Sequence, residues 1–357
     1  MIPLALDAKS DANNRFVTRL VKERSNHPQE SWCISNSAQE SLWIGPKGMF
    51  SLGSPAEHIC GDIILLSPSA ERADRLLRSG SKHNTLLVTE QCDQLCLMCS
   101  QPPKKSHDDR FDLLLEACLL AEPDSLIGIS GGEPTLYKGQ LLDMISTVLA
   151  GRPDLRFHVL TNGQHFTPED IAILRRPEFK KLAWGIPLYS SDPLEHDIIV
   201  VKPGAFERLH ESFDHLLLSG ARIELRTVLL KANQDNLIEL ARHLCVALPF
   251  IEQWSLMGLE NIGFARNRWD ELYSDLRAQS SQLATAIDYA SLFGIEAKIF
   301  NVALCQLPKS MHSYAVASIS DWKQRFAPQC DNCSARSECS GFFEWHPQVL
   351  LKEASPI

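Results

Sequence analysis

The sequence predicts an α/β protein built on a partial (β/α)6 barrel, because strand-like and helix-like segments alternate through its middle. Six apolar runs rich in β-branched residues have the length of buried strands. These runs are Thr85–Thr89, Leu126–Ser130, Phe157–Thr161, Leu182–Tyr189, Ile223–Leu230 and Ile251–Met257. Helical patterns separate them, which is typical of a parallel sheet with crossover helices. Six repeats are too few for a closed eight-stranded barrel, and the active sites of such sheets lie at the carboxyl ends of the strands.

The intervening helices are predicted from apolar spacing and from their end signals. Thr167 followed by Pro168 and two acidic residues marks a helix start. Gly220 and Gly294 follow helical patterns and predict helix ends. The predicted helices are Phe111–Glu122, Leu141–Leu149, one that starts after Thr167, Phe206–Leu218, Leu237–Leu248 and a longer one over about Asp270–Phe293.

The partial barrel, over residues 83–300, is flanked by two smaller segments. Residues 1–82 are predicted to form a small β-rich domain, in which Glu40–Leu52 gives two short strands around a turn and Asp62–Leu66 gives another. This domain could present a peptide by strand addition or act as a structural lid. Residues 301–357 form a cysteine-rich extension with little helix or strand pattern.

Composition excludes several classes of function. The 357 residues carry a formal net charge of −9, and no clustered Lys/Arg stripe is present. We therefore expect no nucleic-acid partner. No run of about 18 apolar residues occurs, so no membrane-spanning segment is expected. The N-terminus lacks the charged start and apolar core of a signal peptide, and a cytoplasmic protein is predicted.

Seven of the eleven cysteines fall in two groups, which indicates metal ligation rather than disulfides. The other four, Cys33, Cys60, Cys118 and Cys245, stand alone and are interpreted as small buried hydrophobes. The first group, Cys92, Cys96 and Cys99, follows the first predicted strand. Three cysteines can hold an iron–sulfur cubane and leave one iron open. A structural zinc site needs four ligands, and local spacing alone leaves zinc as the alternative.

The second pattern is Gly131-Gly132-Glu133-Pro134, at the end of the second predicted strand. Paired glycines let the backbone approach a ligand closely, and a glutamate beside them can accept hydrogen bonds from an ammonium group. Taken alone, the four residues could equally be an ordinary strand-to-helix turn. Their position after a three-cysteine loop on the preceding strand favours a shared site.

The Cys-x3-Cys-x2-Cys loop followed by Gly-Gly-Glu-Pro resembles the radical S-adenosylmethionine (SAM) superfamily. The resemblance implies a [4Fe-4S] cluster on Cys92, Cys96 and Cys99, whose open iron binds SAM. Reductive cleavage of SAM then gives a 5′-deoxyadenosyl radical that abstracts hydrogen from a substrate. Gly131, Gly132 and Glu133 are assigned to the SAM ammonium group. A flavodoxin- or ferredoxin-type protein is the expected electron donor.

Four further residues are predicted to complete the SAM pocket. Met98 stands where the superfamily usually has an aromatic residue near adenine, and a thioether can still pack against a ring. Asn162 and Ser190 follow the third and fourth strands. Arg226 on the fifth strand suits the SAM carboxylate. The alternative for Arg226 is an ion pair with Glu224 on the same strand face. The pair His196-Asp197 is predicted to position a loop.

The C-terminal group comprises Cys305, Cys330, Cys333 and Cys339, and it begins just after a seventh strand-like run, Ala297–Leu304. Four cysteines can fully ligate a second [4Fe-4S] cluster or a structural zinc ion. The pattern resembles the auxiliary-cluster extensions of radical SAM peptide maturases, in a form with one cluster. This resemblance favours a peptide substrate.

The chain resembles one branch more closely, the C component of the His-Xaa-Ser system radical SAM maturases. The resemblance lies in segments such as Cys96–Pro103, Pro187–Ser190, Ile223–Arg226, Asn301–Cys305 and Ser318–Trp322. It implies a precursor peptide with His-Xaa-Ser repeats, a second radical SAM maturase and a small helper protein as partners. Two alternatives stay open: a radical SAM enzyme of cofactor biosynthesis that acts on a small molecule, and a non-catalytic iron–sulfur or zinc scaffold for a partner maturase.

Overall fold

The computed structural model describes residues 2–278 and 280–357, and the N-terminal part is a closed β-barrel. Its strands lie in the order β1-β5-β4-β3-β2-β6-β7, and β7 pairs with β1 to close it. The strands are β1 (Ala5–Ser10), β2 (Phe16–Val21), β3 (Glu30–Asn36), β4 (Ser41–Gly45), β5 (Gly48–Leu52), β6 (Ile63–Ser67) and β7 (Arg72–Leu77). A closed barrel has no free edge strand, so the idea that this domain presents a peptide by strand addition is wrong.

The centre of the chain is a parallel seven-stranded sheet whose strands follow one another in sequence order. The strands are β8 (Thr85–Thr89), β9 (Leu126–Gly131), β10 (Arg156–Leu160), β11 (Leu182–Pro187), β12 (Arg222–Val228), β13 (Gln253–Met257) and β14 (Glu296–Phe300). The predicted α/β fold class, a partial radical SAM barrel with a β-rich N-terminal region, is confirmed. The strand-like run at Ala297–Leu304 supplies β14, which extends the six predicted strands.

The helices are α1 (Phe111–Leu119), α2 (Lys138–Gly151), α3 (Pro168–Leu174), α4 (Pro193–Val200), α5 (Ala205–Ser219), α6 (Leu237–Ala247), α7 (Phe264–Asn267), α8 (Trp269–Leu272), α9 (Ser280–Leu292) and α10 (Gln348–Leu351). Six of them, α1, α2, α3, α5, α6 and α9, contribute to the core that buries the apolar side chains of this sheet, whereas α4, α7, α8 and α10 pack in two smaller clusters. Large side chains such as Phe157, Trp184 and Trp254 point into this core and are almost fully buried. The start of α3 is the predicted one, with a capping box between Thr167 and Asp170.

The predicted long helix over Asp270–Phe293 is wrong in its first part. The chain forms α8, leaves the helix at Tyr273 and starts α9 at Ser280; Gln279 lies outside the described residues. Tyr273 forms an isolated bridge with Leu230, and Lys231 N donates to Leu272 O at 2.9 Å. Main-chain pairing with the end of β12 therefore replaces helical hydrogen bonds in this segment.

The barrel packs on the sheet domain through α1. Val17, Ile63 and Leu65 of the barrel belong to the same buried cluster as the residues between sheet and helices. Glu116 of α1 accepts hydrogen bonds from Gln29 and Lys47, each at 3.1 Å. The barrel and the sheet domain thus share a continuous core.

The C-terminal segment lies beyond the carboxyl ends of the last strands. Its regular structure is limited to short helical turns, the two-residue strands β15 (Gln324–Arg325) and β16 (Phe342–Phe343), and α10. Within the part of the chain that the structure describes, no helix is long and apolar enough to cross a bilayer.

Candidate functional site

The first cysteine group lies in a loop that directly follows β8, at the carboxyl edge of the sheet. Leu95 N donates to Val200 O at 3.3 Å and Leu97 N donates to Ile199 O at 2.9 Å, so the end of α4 holds one side of the loop. On the other side, Phe264 N at the start of α7 donates to Cys99 O at 2.8 Å. The backbone that carries the three cysteines is therefore fixed from two directions. The sequence predicted the loop but not these supports.

The three thiols are half-buried, and those of Cys96 and Cys99 face protein acceptors. Cys96 Sγ lies 3.4 Å from Gln94 Oε1, and Cys99 Sγ lies 3.1 Å from Gln101 O. Burial raises the pKa of Cys92 and of Cys96 to about 12, and the neighbouring thiols contribute to the rise for Cys96. Among residues 2–278 and 280–357, no three His, Cys, Asp or Glu side chains already stand in a metal-binding arrangement. Ligation of a metal centre would require deprotonation of these thiols.

The donor set nevertheless suits an iron–sulfur cluster. Three thiols lie in one short loop, and Gln94 N donates to Cys92 Sγ at 3.4 Å. Main-chain amides that donate to cysteine sulfur stabilise the thiolate form and tune the potential of bound clusters. Cys92, Cys96 and Cys99 are therefore the residues that would hold such a cluster.

The Gly-Gly-Glu segment packs directly on the cysteine loop. Gly132 N donates to Thr89 O at 2.9 Å, and Glu133 N donates to Gln91 O at 2.7 Å. A Cβ atom on Gly132 would lie 2.1 Å from Gln91 O, and one on Gly131 would lie 2.2 Å from Thr89 O. Any larger residue would push the two segments apart. In this structure the glycines are thus required for contact between the loop and the strand end, a contact the sequence did not reveal.

Glu133 is completely buried, and its carboxylate accepts four hydrogen bonds. Oε1 accepts from Thr135 N, Thr135 Oγ1 and Thr161 Oγ1, at 2.7, 2.5 and 2.7 Å, and Oε2 accepts from Asn162 N at 2.5 Å. Burial raises the pKa of Glu133, and the hydrogen bonds oppose that rise. The side chain therefore ties β9 to the end of β10, while its predicted contact with the SAM ammonium group stays a prediction.

Asn162 connects the cysteine loop to Glu133. Its side-chain amide donates to Asp93 Oδ1 at 2.7 Å, while its main-chain N–H donates to Glu133. Asp93 also pairs with Lys202, and His165 Nε2 lies 3.2 Å from Asp93 Oδ2. Burial opposes ionisation of Asp93, but the contacts with His165 and Lys202 outweigh it and lower the pKa of Asp93. Sequence reasoning missed Asp93 and Lys202, although an acid between two cysteines was a usable signal.

Met98 and Ser190 lie in the protein interior. Met98 is 7% exposed and packs in a cluster with Tyr189 and Ile199. Ser190 Oγ accepts from Asp192 N at 3.0 Å and donates to Glu195. Their roles toward SAM stay predictions.

His196 and Asp197 organise the chain around α4, as predicted. His196 Nδ1 lies 3.4 Å from Tyr189 N, and burial lowers the pKa of His196 to about 4. Asp197 accepts hydrogen bonds from the main-chain N–H groups of Gly204 and Phe206. His196 therefore joins α4 to the segment after β11, and Asp197 fixes the connection from α4 to α5.

Arg226 is paired with Glu224, the alternative that the sequence left open. Arg226 Nη1 lies 3.0 Å from Glu224 Oε1, and His158 Nε2 on β10 lies 2.6 Å from Glu224 Oε2. The space between β10 and β12 is open because β11 carries a glycine there: a Cβ on Gly185 would lie 3.0 Å from His158 Nε2 and 3.1 Å from Arg226 Cδ. The cluster of His158, Glu224 and Arg226, which sequence reasoning did not assemble, thus spans three strands.

The C-terminal cysteines come together although they are spread over the last segment of the chain. Cys305, Cys330 and Cys339 pack around one small apolar cluster, and the pKa of Cys330 is raised by burial and by the thiols of Cys305, Cys339 and Cys333. Leu304 N and Gly341 N donate to Cys339 Sγ at 3.3 and 3.4 Å. Ile357 N donates to Cys333 Sγ at 3.4 Å. Four thiols with amide donors suit either a second cluster or zinc.

Comparison with known proteins gives one family match. Residues 86–244 match the model of the Radical SAM superfamily. The matched segment contains β8 to β12, the three-cysteine loop and the Gly-Gly-Glu segment. None of the curated proteins matches the chain.

Several solved structures are similar to parts of the chain. Streptococcus suis SuiB bound to S-adenosylmethionine is 16% identical with a TM-score of 0.48, over 60% of this chain and 49% of that chain. A radical SAM methyltransferase from Sphaerobacter thermophilus is 15% identical with a TM-score of 0.43, over 75% and 76%. AnSMEcpe with bound AdoMet is 13% identical with a TM-score of 0.43, over 60% and 62%. This chain spans about half the length of SuiB.

The family match covers the segment of the chain that carries the candidate site. The matched segment is the one in which the cysteine loop and the Gly-Gly-Glu segment touch at the carboxyl edge of a parallel sheet. Residues 86–244 are thus similar to the Radical SAM superfamily, and they carry both segments of the candidate site.

Proposed function

We propose that this protein is a radical SAM enzyme, a peptide maturase that acts on a precursor peptide of the kind that carries His-Xaa-Ser repeats. The observation that carries the proposal is the direct contact of the cysteine loop with Gly131 and Gly132, because it joins a cluster-binding segment to a SAM-binding segment. The gathering of Cys305, Cys330, Cys333 and Cys339 supports a peptide substrate through the resemblance to auxiliary-cluster maturases.

The chain itself contributes binding and orientation. Cys92, Cys96 and Cys99 would hold the [4Fe-4S] cluster, which with bound SAM and one electron supplies a 5′-deoxyadenosyl radical for hydrogen abstraction. Main-chain atoms of Gly131 and Gly132 border the loop and fix its distance from β9. Glu133 and Asn162 join the ends of β9 and β10 to each other and to the cysteine loop, which keeps the loop and the Gly-Gly-Glu segment in contact.

We further propose that the four C-terminal cysteines hold an auxiliary [4Fe-4S] cluster. The amide donors to Cys333 and Cys339 favour anionic sulfur ligands, and the group lies beyond the strand ends, where substrates of such sheets bind. The proposed partners are the precursor peptide, a second radical SAM maturase, a small helper protein and a flavodoxin- or ferredoxin-type electron donor.

The first experiment tests cluster and SAM chemistry together. Anaerobically reconstituted protein is expected to bind about seven to eight irons, as two cubanes require. With dithionite and SAM it is expected to release 5′-deoxyadenosine. The variant C92A/C96A/C99A is expected to lose that release and to keep about four irons.

A matched control removes three cysteines outside both groups. The variant C33A/C60A/C245A is expected to keep the iron content and the 5′-deoxyadenosine release of the wild type, because these thiols stand apart from the two groups. Copurification of zinc alone without 5′-deoxyadenosine would contradict the cluster assignment. An iron content of about four in the wild type would contradict the auxiliary cluster.

The second experiment tests the substrate. A synthetic peptide with His-Xaa-Ser repeats, deuterated at carbon-bound positions, is incubated with reduced enzyme and SAM. Transfer of deuterium into 5′-deoxyadenosine and a changed peptide mass are expected. A peptide that gives neither, while 5′-deoxyadenosine still forms without it, would rule out this substrate and leave the SAM chemistry intact.

A further inference from the structure

Asp93, between the first two cysteines of the loop, is joined to two separate parts of the chain by charge and hydrogen bonding. We propose that Asp93 and Lys202 form an ion pair that positions the cysteine loop against the end of β10 and sets the reduction potential of the cluster held there. The inference rests on the proposed cluster at Cys92, Cys96 and Cys99. Asp93 is thus a positioning residue, one that does not touch the substrate.

The contacts of Asp93 come from three elements. Asn162 Nδ2, just after β10, donates to Asp93 Oδ1 at 2.7 Å. Lys202, in the connection between α4 and α5, donates to Oδ2, and His165 Nε2 lies 3.2 Å from the same oxygen. The side chain of Asp93 is 25% exposed and that of Lys202 is 24% exposed, so water screens the pair only in part.

Lys202 is itself held in place by the main chain. Lys202 N donates to Asp197 O at 3.0 Å, and Lys202 O accepts from Ala205 N at 3.2 Å. The preceding residues Ile199 and Val200 pair with the cysteine loop at Leu97 and Leu95. The ammonium group of Lys202 therefore approaches Asp93 from a fixed backbone. The cysteine loop is hydrogen-bonded to the end of α4 on one side and to the end of β10 on the other.

The charge of Asp93 acts on the cluster as well as on the loop. Asp93 is the direct neighbour of Cys92 in the chain, so its carboxylate is among the nearest fixed charges to the thiolates. Negative charge close to a cluster makes it harder to reduce, and a nearby ammonium group has the opposite effect. Removal of the Lys202 charge leaves Asp93 unpaired and should lower the reduction potential. Removal of the Asp93 charge leaves Lys202 unpaired and should raise it.

The test uses two single variants and their combination in the reconstituted full-length enzyme. D93N keeps an oxygen for the Asn162 amide and removes the charge, while K202Q removes the cation. The midpoint potential of the SAM-responsive cluster is measured by a redox titration followed by electron paramagnetic resonance. D93N is expected to shift the potential upward, K202Q to shift it downward, and D93N/K202Q to return it toward the wild-type value.

Iron retention gives a second measurement that does not depend on activity. Loss of iron to a chelator is expected to be about tenfold faster in D93N and in K202Q, the size of effect known for residues that support metal ligands. The matched control is D154N, which removes an aspartate paired with Arg152 at the other end of β10 and is expected to change neither quantity. Potentials that shift in the same direction in both single variants, or not at all, would overturn the inference. Absence of a cluster signal in the wild type would instead refute the proposed function.

Discussion

The two cysteine groups of this chain are held in opposite ways. Cys92, Cys96 and Cys99 lie in one short loop that rests on the ends of β9 and β10 and on the end of α4. The C-terminal cysteines come from separate turns between residues 305 and 339, in a segment with only two-residue strands and short helical turns. The first group is thus supported by the ends of regular strands and a helix. The second group lies among short turns that are held by scattered contacts, such as Ser340 with Ile319 and Lys323 with Glu260.

This difference predicts different consequences of metal loss. Sheet and helix hydrogen bonds, together with the shared apolar core, fix the frame of the first group. Three cysteines of the second group, Cys305, Cys330 and Cys339, pack against a small apolar cluster, which comprises Ala303, Ala327, Phe342, Leu351 and Ala354. Such a small core supplies limited folding free energy, and small cysteine-rich units are commonly stabilised by their metal.

The largest expected effect is local unfolding when the C-terminal ligands are removed. The variant C305S/C330S/C333S/C339S is expected to expose residues 301–357 to protease, because structural metal ions supply about 10–16 kcal/mol in small metal-binding domains. The variant C92A/C96A/C99A is expected to leave that segment protected. Limited proteolysis followed by mass spectrometry compares the two. Equal cleavage of residues 301–357 in both variants would contradict the idea that only the C-terminal group depends on its metal for folding.

The next effect tests the frame of the first group at Glu133. In E133Q an NH2 group replaces one carboxylate oxygen, so at least one of the four surrounding donors, Asn162 N if the amide oxygen takes the place of Oε1, loses its acceptor. A buried donor that loses its acceptor costs about 1–3 kcal/mol, so the free energy of unfolding should fall by about that amount. Urea denaturation measures this loss, and release of 5′-deoxyadenosine should fall with it.

Glu239 offers the matched control for that substitution. It lies on α6 with its side chain 53% exposed, and its only described ion pair is with Arg242, also exposed. E239Q is expected to change the free energy of unfolding by less than about 0.5 kcal/mol. A similar loss in E133Q and E239Q would show that the frame does not depend on the buried carboxylate.

The sequence predicts features that depend on local patterns, but it does not predict contacts between residues that are far apart in the chain. The strands of the sheet and the residues of the first cysteine group could be located because each depends on a local pattern of apolar, glycine or cysteine residues. The Asp93–Lys202 pair joins positions far apart in the chain, and nothing local to Lys202 indicates its partner. The break before α9 likewise depends on pairing of Tyr273 with the distant Leu230. Closure of the N-terminal barrel requires pairing of β1 with β7, which strand propensity alone does not determine.

The smallest expected effect is the change in stability as pH falls, which should have opposite signs in the sheet and in the C-terminal segment. Burial opposes ionisation of Glu224 in the sheet, but contact with His158 and the charge of Arg226 outweigh it and lower the pKa of Glu224 to about 2. Its stabilising contribution, about 2 kcal/mol, is present above an unfolded pKa near 4.5 and is lost as pH falls toward 2. E224Q should therefore lose stability at pH 7 and differ less from wild type at pH 3, whereas E252Q, an exposed partner of Arg222, should show neither change.

Glu260, where the sheet meets the C-terminal segment, has a pKa shift opposite in direction to that of Glu224. Its side chain pairs with Lys323 at 3.2 Å, but burial prevails and raises the pKa of Glu260. Its contribution to stability is fully present below the unfolded pKa near 4.5 and is lost as pH rises through the raised folded value. Mild acid should thus weaken the frame of the first cysteine group through Glu224 while it favours the neutral form of Glu260. Hydrogen exchange of the two regions between pH 6 and about 3 measures this directly, with E260Q as the variant that should lack the gain at the C-terminal segment. Acid that loosens both regions equally would show that the two cysteine groups share one stability.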